Sequence, residues 1–188
     1  MTGPMKALVS GSAHLDILAR PFSDSTHRDR IGRVSLEAGG TACNLAFNLR
    51  KLGQGVRLLT AWGSSPIERL MASHIQSTGV ELMADEVEGM PLAAFAALLT
   101  VDGDMQSAVS ATPVDGHRFS DKRIAEAIAG VDYVIVEANL SSEMIFAIAQ
   151  QGVFVPFVQF LAVIARRAPS RKASRAATFP RNTNSPSR

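Results

Sequence analysis

The chain has one cysteine, one tryptophan and one tyrosine among its 188 residues. With Cys43 alone, no internal disulfide can form. That excludes a disulfide-stapled scaffold and is compatible with a reducing cytoplasm. No apolar run reaches the roughly 18–20 residues that a membrane-spanning helix needs. The longest, 152–165, has about 14 residues and fits a buried element. The N-terminus lacks a charged segment followed by a long apolar one, and Met5–Val9 is too short to be the core of a secretion signal. His14, His27, His74 and His117 stand at no metal-ligand spacing from one another or from Cys43, so no zinc site is expected. No Gly-x-x-x-x-Gly-Lys-Ser/Thr phosphate loop occurs.

Acid is missing from the end of the chain. Residues 151–188 hold 7 Lys and Arg and no Asp or Glu, whereas residues 1–150 hold 12 Lys and Arg against all 17 Asp and Glu. The net charge of +2 therefore conceals an acidic body and a basic tail. A basic body would point to nucleic acid; this body gives that reading no support. From Ala168 onward Arg, Ser, Pro, Ala and Thr dominate with almost no large apolar residue, so residues 158–188 are expected to be a disordered basic tail.

What is present alternates. Lys6–Gly11 reads as a short buried strand and Arg33–Ala38 as an exposed edge strand. Thr41–Leu52 carries Ala42, Leu45, Ala46, Leu49 and Leu52 at helical spacing. Val56–Thr60 is a strand, and Pro66–Thr78 a helix with proline in its first turn and Gly79 as its stop. Leu92–Val101 and Met105–Ser110 flank Asp102-Gly103-Asp104, a hairpin signal. Ser120–Ala129 is a helix with Ser120 as its cap, Tyr133–Glu137 a buried strand, and Ser142–Gln150 a helix, with a further strand starting in Val153–Phe157. Strand–helix alternation predicts an α/β layer with a mainly parallel sheet, and the hairpin a small β-appendage beside it.

The densest stretch is Glu37-Ala-Gly-Gly-Thr-Ala-Cys-Asn, where Gly39 and Gly40 open the helix and Asn44 stands in its first turn. Paired glycines let backbone approach a ligand, and a helix start offers unpaired N–H groups, which suits a polyhydroxylated or phosphorylated small molecule. In open α/β sheets ligands bind beyond the carboxyl ends of the strands. Asp16 after the first strand, Gly39, Gly40 and Asn44 at the glycine turn, and Glu137 and Asn139 after the YVIV strand all fall there. Singly, Asp16 reads as a turn or cap residue, Asn44 as an ordinary helix residue and Gly39-Gly40 as a loop pair. Their shared location, a carboxylate plus amides that donate and accept, makes a polyol pocket. Cys43 is expected to be a buried, inert thiol.

The pieces VSGSAHLDIL, EAGGTACNLAFNLRKLG, VRLLTAWG, LTVDGDM and VDYVIVEANLSSE, spread over residues 6–157, resemble in their order the ribokinase (PfkB-type) family of sugar and nucleoside kinases, and within it the pseudouridine-kinase-like branch. The resemblance implies a ribokinase-like doubly wound sheet with a small β-lid formed by the hairpin region. It implies ribose hydroxyls held by Asp16, a sugar lying against Gly40 and bonded by Asn44, and a Glu137/Asn139 pair where relatives often have Asp and Asn. It also implies ATP and Mg as co-reactants, a sugar or nucleoside as substrate, a homodimer formed through the β-lid, no membrane or nucleic-acid partner, and a cytoplasmic location. Two departures stand out: Trp62-Gly-Ser-Ser-Pro replaces the usual Val-Gly-Asp-Asp region, and the second family signature, Asp-Thr-x-Gly-Ala-Gly-Asp, is absent. That signature supplies the anion-hole glycines and the catalytic base, so no catalytic residue is assigned in this chain. The expectation is residues 1–157 as the substrate-side part of a C-terminally truncated kinase, inactive alone. The alternatives are a non-catalytic sugar- or nucleoside-binding or dimerising remnant, and a nucleic-acid-associated protein acting through its tail.

Overall fold

The computed structural model describes residues 5–24, 27, 29–152 and 157–160. Five strands form one sheet in the order β5-β4-β1-β8-β9: β1 (Lys6–Ser10), β4 (Gly55–Trp62), β5 (Glu81–Glu86), β8 (Tyr133–Glu137) and β9 (Phe157–Phe160). Every pairing among them is parallel. Parallel strands covered on both faces read as continuous apolar runs, and Ala7-Leu8-Val9 and Val134-Ile135-Val136 are buried throughout.

Successive residues of a strand point to opposite faces. Val9 and Leu58 pack with α1 (Thr41–Lys51) and α2 (Pro66–Ser77) through Ala42, Ala46, Met71 and Ile75. Leu8 and Leu59 pack on the other face with α3 (Asp121–Ile128) and α4 (Ser142–Gln151) through Ile124, Ala127, Met144 and Ile148. The chain thus runs outward from β1 to β5 under one helix layer, then returns to β8 and β9 under the other. The winding direction reverses between β1 and β8, and open α/β sheets place their ligands beyond the strands' carboxyl ends at such a point.

Of the helical stripe expected in α1, Ala42 and Ala46 are fully buried with Cys43, while Leu52 at the helix end is exposed. Arg57, on β4, is nearly buried and gives its Nη1 to the carbonyls of Glu126, Ala127 and Ala129 at 3.1, 2.7 and 2.9 Å, closing the end of α3. Its Nε and Nη2 each reach Glu81 Oε1 at 2.8 Å, and Lys6 Nζ reaches Glu81 Oε2 at 2.7 Å.

A second, four-stranded sheet has the order β3-β2-β6-β7: β2 (His14–Pro21), β3 (Gly32–Gly39), β6 (Ala94–Leu99) and β7 (Met105–Ala111). It is the appendage expected from the hairpin. β6 and β7 pair across Thr100–Asp104, and β2 pairs with β3 antiparallel and with β6 parallel. Two strands, β2 and β5, have no counterpart in the sequence reading. Asp16, expected in a turn, is a strand residue paired with Glu37. The expected basic tail lies outside the described residues apart from 158–160, which belong to β9.

Candidate functional site

The junction between β1 and β8 is organised by Ser12, a residue the sequence reading passed over. Ser12 follows β1, and Glu137 ends β8. Glu137 Oε2 accepts the Ser12 backbone N–H at 2.6 Å and the Ser12 hydroxyl at 2.7 Å, and Oε1 accepts Asn139 Nδ2 at 2.7 Å. Glu137 is buried, so a carboxylate with both oxygens satisfied inside the protein acts as a strut between two loops. Ser12 also reaches the start of α1: its Oγ accepts the Thr41 N–H at 3.1 Å and its carbonyl the Cys43 N–H at 3.1 Å. The unpaired N–H groups expected at this helix start are therefore largely spoken for, because Ser12 takes the place of an external anion there.

Gly40 caps α1 with φ of 97°, a backbone state that side chains resist. A Cβ there would stand 2.6 Å from Ser12 O and 2.9 Å from Ala13 Cα. Gly39 is needed for a different reason. Its missing side chain leaves room for Asp16, whose Oδ1 would lie 2.6 Å from a Cβ at that position and whose Oδ2 would overlap it. The carboxylate is thus laid against bare backbone at the root of the lid. His14, opposite Gly39 in the β2–β3 ladder, brings Nε2 to 3.0 Å from Asp16 Oδ1, and its ring lies 6.3 Å from that of Phe95. Asp16 Oδ1 is buried and makes no well-aligned hydrogen bond. The side chain as a whole is about a quarter exposed, which leaves the carboxylate acceptor capacity for a hydroxyl group. Cys43 is fully buried beside it. Burial, and after it the negative charge of Asp16, push the thiol up to about 12, which makes it the inert group expected.

Five of the six expected site residues therefore form one connected set, with Asp16 on Gly39, Gly40 on Ser12, Ser12 on Glu137 and Glu137 on Asn139. Asn44 belongs to the same helix start, its N–H bonded to Gly40 O at 2.8 Å, but its exposed side chain lines a cavity of about 700 Å³ between α1, α2 and the lid. His14 and Ser12 were missed although both stand in the Gly-Ser-Ala-His segment. The usable signal was the run of small and polar residues directly after a buried strand. Among the described residues no three His, Cys, Asp or Glu side chains are grouped to hold a metal ion, and no helix is long and apolar enough to cross a membrane.

The model of the pfkB family of carbohydrate kinases matches residues 6–164. The chain belongs to that family. Guanosine-inosine kinase of Exiguobacterium acetylicum is 30% identical over an alignment of 146 residues that covers 72% of this chain and 46% of that enzyme. Among solved structures, a carbohydrate kinase from Agrobacterium tumefaciens superposes with a TM-score of 0.73 at 25% identity, over 82% of this chain and 53% of its own. Arabidopsis thaliana ribokinase, solved with ribose and ATP, has the same fold, with a TM-score of 0.67 at 19% identity over 84% of this chain and 53% of its own. This pfkB-family chain thus spans about half the length of the relatives it matches. The matched part contains both sheets, the Ser12 junction and the Asp16–Gly39 contact.

Proposed function

We propose that this chain is the acceptor-holding part of a sugar or nucleoside kinase, with Asp16, Gly39, Gly40 and Asn44 receiving the ribose and Glu137 and Asn139 shaping the opposite wall. The observation that carries this reading is the Asp16 carboxylate, set against Gly39 at the root of the lid, about a quarter exposed and with acceptor capacity left beside its His14 contact. The family, and the named substrate of the Exiguobacterium relative, favour a purine nucleoside such as inosine or guanosine; pseudouridine is the second candidate, from the sequence resemblance. In the whole reaction ATP–Mg would supply the phosphoryl group, and catalysis would rest on positioning and a base. The described residues offer that nucleotide no cradle: the α1 start is occupied by Ser12, and no carboxylate cluster awaits a cation. We therefore assign this chain acceptor binding without transfer, and the cytoplasm, where nucleosides and ATP meet, as its location.

Calorimetric titration of the 188-residue chain with inosine, guanosine, pseudouridine and ribose tests the reading. Binding of at least one, lost or reduced about tenfold or more in Asp16→Asn, is expected, since a lost buried hydrogen bond is worth about 1–3 kcal/mol. Binding indifferent to Asp16→Asn would overturn it. Phosphate transfer from ATP by this chain alone would overturn the assignment of binding without transfer.

A second copy of the chain is the partner we propose for the lid. By strand alternation Arg20, Arg33 and Glu37 lie on one face of the second sheet and Val34, Leu98 and Val109 on the other, where all three are exposed. Two such faces can meet without opposing charges. Sedimentation that shows a dimer, dissociated by Val109→Glu, is expected; a monomer at all concentrations would exclude this partner.

A further inference from the structure

The cavity that Asn44 lines has none of Asp16, Gly39, Gly40, Glu137 and Asn139 in its wall. It shares Phe47 and His74 with a second cavity of about 350 Å³, so the two form one groove along α1 and α2. The larger part, about 700 Å³, is walled mainly by apolar side chains, among them Leu36, Ile67, Leu70 and Met71. The smaller part is lined by Arg50, Lys51 and His74 and by no acid; the one carboxylate residue of the groove, Glu37, belongs to the larger part. Phe47 and His74 meet edge to face at 6.2 Å where the parts join.

The cations have an ordinary role as well. Arg50 and Lys51 are in the last turn of α1, where positive charge favours the helix dipole. That role leaves capacity unused. Arg50 Nη1 donates to Gln54 O at 2.7 Å, while Arg50 Nε is buried without a partner, and Lys51 extends into solvent. A buried, unpaired guanidinium N–H costs free energy that an anion beside it would offset. The larger part by itself lies in the range that takes up one small organic molecule, about 300–1,000 Å³.

We propose that this groove binds a small amphiphilic organic anion, its alkyl or aryl body between Leu36, Leu70 and Met71 and its carboxylate or sulfonate at Arg50 and Lys51. One end of the groove is apolar and the other cationic, and no neutral or cationic ligand of that size matches both ends. Because Asn44 and Leu36 line the same space, an occupant contacts the start of α1 and the lid together.

Sodium octanoate and octan-1-ol, titrated calorimetrically into the 188-residue chain, are the probes. One octanoate per chain, bound about tenfold or more tighter than the alcohol, is expected. Lys51→Gln should weaken octanoate severalfold and leave the alcohol unchanged. Leu70→Glu should abolish binding of both; Leu70 is 72% exposed, so the fold tolerates the charge. Lys122→Gln, on α3 across the large sheet from the groove, should change neither. Equal affinity for acid and alcohol, indifference to Lys51→Gln or Leu70→Glu, or loss with Lys122→Gln would each overturn the proposal. So would sedimentation showing a dimer that Leu70→Glu dissociates, since a second copy would then fill the groove.

Discussion

Glu137 receives both donors of Ser12, the backbone N–H at 2.6 Å and the hydroxyl at 2.7 Å, on the single oxygen Oε2. The contact joins residues 125 apart in sequence and ties the loop after β1 to the end of β8. Glu137→Gln keeps the shape but can present an amide N–H where an acceptor is required. It should cost about 1–3 kcal/mol of stability, as for other buried donors left unmatched. Ser12→Ala removes the hydroxyl but keeps the backbone bond, and should cost less. Chemical denaturation of both variants and of the double variant checks this, and the double should cost less than the sum because the two groups share one bond.

Gly39→Ala should drive Asp16 from its place. The backbone of Gly39 is ordinary strand, so the penalty comes from the collision with the carboxylate and not from φ. Overpacking of this kind costs about 1–3 kcal/mol. In an Asp16→Gly background the same alanine should cost little. Melting curves for the four proteins of this cycle distinguish collision from a general intolerance of alanine in β3.

Cys43 should stay silent toward a disulfide reagent at pH 8 in the native protein and react at once in urea. Its folded value of about 12 lies above the ordinary 9.0. A raised value means that the fold prefers the protonated thiol. The associated stability is complete below pH 9.0, falls as pH rises through the interval to about 12, and is gone above it. Cys43→Ala should therefore flatten the alkaline limb of the stability–pH curve.

At the opposite end of the sheet, burial tends to raise the Glu81 carboxyl, but hydrogen bonds and charge from Lys6 and Arg57 outweigh it and hold it below the usual carboxylate value of 4.5. The stability tied to this lowered value is present above pH 4.5 and is lost as pH falls further, through the folded value. Glu81 is about half exposed, so solvent screens the pair, and Glu81→Gln should cost no more than about 1 kcal/mol at pH 7. Arg57→Met should cost more, because three carbonyls at the end of α3 lose their donor while the pair is also broken. Comparing the two variants at pH 7 and pH 4 separates the ion pair from the helix cap.

The helices were legible because their signals are local. Ser65 accepts the Ile67 N–H and forms a capping box with Glu68, and Ser120 and Ser141 accept the N–H groups of Arg123 and Met144. The buried strands β1, β4 and β8 announced themselves as apolar runs. β2 did not. Leu15, Ile17 and Ala19 alternate with Asp16, Leu18 and Arg20, but that alternation has meaning only beside β6, whose partners lie about 80 residues away. Reading Asp16 as a turn residue followed from that. β5, Glu81–Glu86, carries three acids and pairs only with β4 at the sheet edge, so its conformation comes from its neighbour more than from its own composition. Ser12 was hidden for the same reason: its three roles are set by Glu137, Thr41 and Cys43, and none of them is visible in a serine after a strand.

The position of β1 in the middle of its sheet has a kinetic consequence. Its partner on one side, β4, begins at Gly55, whereas its partner on the other side, β8, begins at Tyr133. The side of Leu8 and Leu59 that α3 and α4 cover is closed by residues made well after them. Folding that depends on such distant pairings is slow, since a long loop must close before its contacts contribute. While the chain is being synthesised, β1, β4 and the lid can assemble early, leaving an apolar sheet face without its cover until Met144 and Ile148 arrive. In that interval the nascent chain is most open to aggregation and to capture by chaperones.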